Sequence, residues 1–311
     1  MEDKWLVVVN PNAGIRRAER EWPHIEKLLI DNGFTFIAHH TTHPEHAIEI
    51  VRREVSLGFN KIIAVGGDGT FNEVANGIMQ QKRLPSHEVT LAMITVGTGN
   101  DWGRMYNIPF DYKQAIQIIQ EGKTFIQDAC LVKYSSGIKI KQRYLVNMAG
   151  LGFDAEVALK VNRMKEQGRG GKLSYLINIF STLLSYRTKT ASLEIDSKKR
   201  SSNIFSLNVG VCQYNGGGMK QLPHAVPDDG KLAITIIEQL SKFKVIANVH
   251  RLYSGTFIKM HEVITESALK IDITSDKNLY LEVDGESIGH TPIEFSIQPG
   301  AIRVITNQHH H

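Results

Sequence analysis

The sequence predicts an α/β N-terminal domain built on a Gly-rich-loop parallel sheet, followed by an antiparallel β-sandwich C-terminal domain. Three observations carry this. From Trp5 to Gln120, short apolar runs alternate with helical patterns, as in βαβ units. Three of those runs end in turn-rich loops: Asn10-Pro11-Asn12-Ala13-Gly14, Gly66-Gly67-Asp68-Gly69-Thr70 and Gly97-Thr98-Gly99-Asn100-Asp101. From about Gly122 the helical alternation gives way to successive β-type runs.

Trp5 to Val9 reads as a buried strand. Arg16 to Asn32 has helical spacing, with Ile25, Leu28 and Leu29 inward and Gly33 as its stop. Phe34 to His40 is the second strand, and about Pro44 to Ser56 the second helix. Lys61 to Val65 is the third strand, and the helix after it puts Phe71, Val74, Ala75 and Ile78 on one face. Val89 to Val96 is the fourth strand, with a short helix from Asp111 to Gln120. β-type runs follow at 125–134, 138–149, 190–196, 203–212, 231–238, 263–274 and 279–284. Leu269 to Val283 reads as a hairpin: Ile271 and Ile273 alternate with polar residues, 275–278 turn, and Leu279, Leu281 and Val283 return. Two helical stretches interrupt the strands. Phe153 to Gln167 ends in a basic run with Lys160, Arg163, Lys165, Arg169 and Lys172. Leu173 to Tyr186 carries Tyr175, Leu176, Ile179, Phe180, Leu183 and Leu184. This pair reads as a core-packing helix with a solvated basic flank, or as a surface for anionic lipid. The domains are placed at 1–122 and 123–290, with a terminal segment 291–311.

The composition is that of an ordinary globular chain, 42% hydrophobic and 22% charged over 311 residues. A net charge of +4 suits anionic ligands or an anionic membrane surface. No nucleic-acid motif is present, and no apolar run reaches membrane-spanning length. The start, MEDKWLVVVN, enters a strand directly and shows no signal peptide, so a cytoplasmic location is expected. Cys130 and Cys212 sit in apolar runs and read as buried thiols in a reducing compartment. His309 to His311 read as a tag remnant. His39, His40, His43 and His46 are not read as a metal site, for want of a carboxylate or cysteine at metal-site spacing.

The loops carry the chemistry. A strand, a glycine turn and a helix start put free N–H groups and a partial positive charge where a phosphate can sit. Gly66, Gly67 and Gly69 let backbone approach closely, and Asp68 can hold Mg²⁺ or orient a phosphate through it. A plain βα turn with an Asp or Thr cap would share part of this pattern. Neither G-x-x-x-x-G-K-[ST] nor G-x-G-x-x-G is present.

Gly66 to Thr70 with Asn72 and Glu73 resembles the signature of the diacylglycerol kinase catalytic family, whose wider superfamily includes sphingosine, ceramide and NAD kinases. Asn10 to Gly14 and Gly97 to Asp101 resemble its other nucleotide loops. The resemblance implies a fold of the NAD kinase and diacylglycerol kinase type, with 291–311 returning to the first domain. It implies nucleotide binding by Asn10, Pro11, Asn12, Ala13, Gly14, Thr41, Gly66, Gly67, Asp68, Gly69, Thr70, Asn72, Glu73, Gly97, Thr98 and Asn100. Asp284-Gly285-Glu286 resembles the family's DGE motif, which makes Glu286 the general base beside Asp68 as the catalytic pair. Pro227 to Lys231 resembles a motif in which Asp229, with the carbonyls of Val226 and Lys231, holds a metal. Gln213 to Met219 resembles a glycine loop lining the family's cleft. The function implied is an ATP- and Mg²⁺-dependent lipid kinase, converting diacylglycerol to phosphatidic acid. Its partners would be lipid at the inner face of the membrane, met peripherally, and no nucleic acid. Sandwich edge strands could pair into a homodimer, as in some relatives. An NAD kinase-like enzyme, a catalytically silent nucleotide-binding regulator and a membrane-surface adaptor stand as alternatives.

Overall fold

The computed structural model describes residues 4–97, 99–166 and 172–307, with the side chains of 162–166 and 172–178 outside that description. Thr98, Arg169, His309 to His311 and the side chains of Arg163, Lys165, Lys172, Tyr175 and Leu176 therefore lie outside the described residues. The chain divides into two compact units, Met1–Ala129 with Pro299–His311, and Cys130–Gln298. The divide falls after Ala129 rather than Gly122, and the return comes at Pro299 rather than at 291.

In unit 1 the expected alternation is present. It runs β1 Trp5–Val9, α1 Ala13–Asp31, β2 Phe36–His40, α2 His46–Ser56, β3 Lys61–Gly66, α3 Asp68–Gln80 and β4 Thr90–Thr95. Two further helices, α4 Asp101–Met105 and α5 Tyr112–Glu121, follow. β1 pairs in parallel with β2 and with β3, and β3 pairs in parallel with β4. The order is β2-β1-β3-β4. The chain steps one way from β1 to β2 and the other way to β3, so the sheet switches direction between β1 and β3. Ligands of open parallel sheets bind at such a switch, beyond the carboxyl ends of the strands. Leu6 to Val9 and Ile62 to Val65 are buried on both faces, which explains their unbroken apolar runs.

Unit 2 is antiparallel. Its strands are β5 Thr124–Ser136, which begins in unit 1, β6 Lys139–Leu145, β7 Met148–Gly152, β8 Lys189–Ile195, β9 Lys198–Gly210 and β10 Leu232–Glu238. After them come β11 Val263–Ala268, β12 Lys270–Ser275, β13 Tyr280–Val283 and β14 Glu286–Ile305, whose end lies in unit 1. Two helices, α6 Phe153–Glu166 and α7 Lys172–Ser185, fall between β7 and β8. Two shorter ones, α8 Lys242–Asn248 and α9 His250–Ser254, follow β10. The expected hairpin over Leu269–Val283 does not form. β12 pairs with β8 and β14, whereas β13 pairs with β7 and β14. Alternation places Ile271 and Ile273 in the core but says nothing of which strand lies alongside. The tight turn is one step later. Val283 faces Glu286 across the two residues Asp284 and Gly285, both at positive φ (47° and 89°). That is the backbone a two-residue hairpin requires.

Candidate active site

Three loops meet in unit 1 at the sheet's switch point. Asn10 Nδ2 donates to Thr70 Oγ1 at 3.0 Å, tying the loop after β1 to the start of α3. Thr41, nearly buried after β2, donates its N–H to Val9 O at 2.8 Å. Backbones touch where side chains would not fit. A Cβ on Gly97 would lie 2.7 Å from Gly67 Cα, and one on Gly14 2.5 Å from Val96 O. Glycine at these places lets main chain form the walls of the mouth.

Asp68 is the first residue of α3. Its Oδ1 accepts from the N–H of Trp102, in the first turn of α4, at 3.0 Å. Burial pushes its carboxyl pKa up, against the N–H groups of Trp102, Asp101 and Asn100, which favour the anion. Part of its surface still opens at the mouth. The support beneath is aromatic: Phe71 stacks on Trp102 at 3.8 Å, and Trp102 Nε1 and Tyr106 OH both donate to buried Gln127 Oε1, at 2.9 and 2.7 Å. Asp101 was not singled out from sequence, where it read as part of a cap. It is buried, and a Cβ on Gly99 would stand 3.1 Å from Asp68 Oδ2 and 3.4 Å from Asp101 Oδ2. Asn100 Nδ2 donates to Gly97 O at 2.9 Å. Its Oδ1, also buried, has no hydrogen-bond partner among the described residues. Two carboxylates, an unsatisfied amide oxygen and a helix N-terminus beside them fit a hydrated Mg²⁺ carrying a phosphate.

Not every predicted nucleotide residue faces this mouth. Glu73 accepts the N–H groups of Glu45 and Ala47 at 2.9 and 3.3 Å, capping α2. Asn72 is fully buried, and its Oδ1 accepts from Asn76 Nδ2 at 3.1 Å. The helix after Gly14 begins with Gly14, Ile15 and Arg16 in the left-handed region, so regular helix starts later than Ala13.

In unit 2 the candidate base stands on the β13–β14 turn. Buried Asp284 accepts from the N–H groups of Val146, Asn147 and Met148, at 3.2, 3.2 and 2.9 Å. Buried Glu282 accepts from Gly285 N–H at 2.5 Å, so two carboxylates clamp one turn. Burial, with Asp284 and Asp154 nearby, pushes Glu282 up to about 8. Glu286 itself pairs with Arg143 of β6 at 2.8 Å; that arginine is almost buried. Sequence reading missed Arg143, which reaches Glu286 from a strand far away in the chain, and Glu282, whose burial only the fold reveals. The loop of Gln213 to Met219 closes on itself through Asn215 and Met219, and Asn215 Nδ2 lies 3.5 Å from Glu282 Oε2. Asp229, Val226 and Lys231 form an exposed turn in which Asp229 Oδ1 accepts from Lys231 N–H at 2.9 Å. Its hard oxygens suit Mg²⁺.

The histidine cluster needs one correction. Glu49 does offer a carboxylate at helical spacing, and ligand atoms of His43, His46 and Glu49 lie within 4.8 Å of one another. However, Thr42 N–H donates to His46 Nδ1 at 3.0 Å. That occupies His46 Nδ1 as an acceptor and puts its ring proton on Nε2.

The diacylglycerol kinase catalytic domain matches residues 4–132, and the YegS C-terminal NAD kinase beta sandwich-like domain matches residues 147–306. The chain belongs to the diacylglycerol kinase family. A diacylglycerol kinase of Staphylococcus aureus (strain MRSA252) is 30% identical over 296 residues, covering 95% of this chain and 90% of its own. One from Staphylococcus carnosus (strain TM300) is 29% identical over 296 residues, covering 95% and 92%. A solved structure of a diacylglycerol kinase from Bacillus anthracis strain Sterne superimposes with a TM-score of 0.70 at 21% identity. It covers 98% of this chain and 97% of that one. Yeast NADH kinase superimposes at 0.52 with 13% identity, over 98% and 84%. These two structural likenesses support the fold alone. The chain is thus a member of a kinase family, with the two-domain architecture that family membership implies. No described helix is long and apolar enough to cross a membrane.

Proposed function

We propose that the chain transfers the γ-phosphate of ATP to a lipid hydroxyl, with diacylglycerol as acceptor and phosphatidic acid as product. The observation that carries this is Asp68: a carboxylate at a helix N-terminus, ringed by three glycine-bearing loops whose backbones touch. Main-chain N–H groups there would hold the phosphates, with Asn10, Thr41 and Thr70 at the rim. Asp68 and Asp101 would hold Mg²⁺, which would neutralise charge on the transferring group. A lipid hydroxyl is a weak nucleophile, and Glu286, oriented by Arg143 and the clamped turn, would accept its proton. A second ion at Asp229, Val226 and Lys231 would steady that turn of unit 2.

The test is transfer from Mg²⁺-ATP to diacylglycerol in mixed micelles, with NAD and other lipids as rival acceptors. Glu286→Gln is expected to lower transfer by roughly 10²–10⁴-fold while ATP binding persists. Transfer to NAD alone would sink the lipid reading. Full activity in Glu286→Gln would remove that residue as the base.

A further inference from the structure

The segment after β10 is apolar on two faces. Val245 of α8 and Leu252 of α9 pack inward, against the cluster of Leu183, Tyr186, Phe205, Ile237 and Phe257. Phe243, Ile246, Val249 and Tyr253 are 88%, 48%, 48% and 56% exposed. Their spacing of three, three and four is helical, so they lie along one outward stripe. The Lys242 amine reaches the carbonyl of Leu184, which brings the end of α7 beside the start of α8. There Phe180 and Leu184, one turn apart, are 52% and 54% exposed. Single exposed apolar side chains need no explanation, but a contiguous group of them marks a surface that meets something apolar.

Charge selects the partner. From Gln239 to His261 the chain carries Lys242, Lys244, Arg251 and Lys259 with two histidines; Glu238 and Glu262 flank this stretch, and Glu262 pairs with Lys244. A second copy docking through the same face would set cation against cation. An anionic bilayer offers acyl chains to the phenylalanines and phosphates to Lys242, Arg251 and Lys259. We propose that the outer stripe of α8 and α9, extended by the end of α7, docks the protein on an anionic lipid bilayer, with Phe243 as the leading anchor. This rests on the lipid-kinase reading, since the acceptor resides in such a bilayer.

The full chain is sedimented with vesicles of phosphatidylcholine, alone or mixed with phosphatidylglycerol. The expected result is binding to the anionic vesicles that salt weakens, and little binding to the neutral ones. Phe243→Ser with Ile246→Ser is expected to reduce partitioning by about tenfold. Its melting temperature should hold, because both side chains face solvent. Equal sedimentation of the variant, or equal binding to neutral vesicles, overturns the proposal. So does a dimer in solution that the double variant converts to monomer. Transfer to a short-chain, water-soluble acceptor separates the two readings, since it should survive the double variant. Loss of vesicle binding in a protein that phosphorylates no acceptor would uphold the docking face and sink the kinase reading instead.

Discussion

Asp68 and Glu282 are both acidic side chains that their surroundings push toward the neutral form, and they answer to different tests. Asp68 is held by backbone N–H groups, so an amide can keep the geometry without the charge. Asp68→Asn is expected to fold with equal or better stability at neutral pH, because burial opposes the charge it removes. Its phosphoryl transfer should fall by roughly 10³-fold, as a metal or phosphate contact is lost. Calorimetry and single-turnover rates on one preparation would check both halves. Burial pushes Glu282 up to about 8 from the ordinary glutamate value of 4.5, so the folded state binds the proton more tightly. Stability should therefore decline as pH rises from about 4.5 to about 8. Glu282→Gln should flatten that decline while still accepting from Gly285 N–H, which melting curves across this pH range would reveal. Asp68 and Glu286 were legible because each sits in a short contiguous motif. Asp101 and Arg143 were not, because what gives them a role is a group brought close from another loop or strand; Glu282 was not, because its burial is set by the fold although its partner Gly285 is local.

Loops and turns set the next group of expectations. Gly97→Ala places a methyl 2.7 Å from both Gly67 Cα and Asn100 Oδ1, so the second and third loops must part. ATP affinity is expected to drop tenfold or more, with a melting loss of about 1–3 kcal/mol, measured by nucleotide titration and denaturation. Asp284→Ala strips three buried N–H groups of their acceptor. It should cost about 3 kcal/mol or more and lower transfer through misplacement of Glu286. Retention of full activity in a stably folded Asp284→Ala protein would show that the clamp does not position the base. The βα units were readable because each strand, turn and helix is local. The strand β14 was not, since Gly289, Pro292, Pro299 and Gly300 interrupt its pattern while β13 pairs with its first stretch and β12 with the next. Helices α8 and α9, of seven and five residues, are each shorter than the window over which a helical period stands out in a sequence, although their exposed apolar residues share one stripe.

At the scale of the molecule, the two cation sites proposed above, one in each unit, predict two separable magnesium dependences. Asp229→Ala should abolish a Mg²⁺-dependent gain in melting temperature, worth roughly 1–3 kcal/mol at saturating ion, while Asp68→Ala should leave that gain intact. A Mg²⁺ titration of thermal stability in both variants decides it; identical curves would place no ion at the exposed turn. The architecture itself was legible because composition changes along the chain, from alternating βα units to consecutive strands. Its seam was not, because β5 runs through Ala129 with no break in its β pattern.

The parallel sheet of unit 1 gains an edge from the far end of the chain, where Arg303 and Val304 of β14 lie alongside Thr90 and Leu91 of β4. On the ribosome, β4 emerges long before that partner is synthesised. All of unit 2 must be translated in between, leaving Thr90 and Leu91 without that partner strand on the nascent chain. Unit 1, although most of it is made first, therefore gains its last strand only after all of unit 2 has been made.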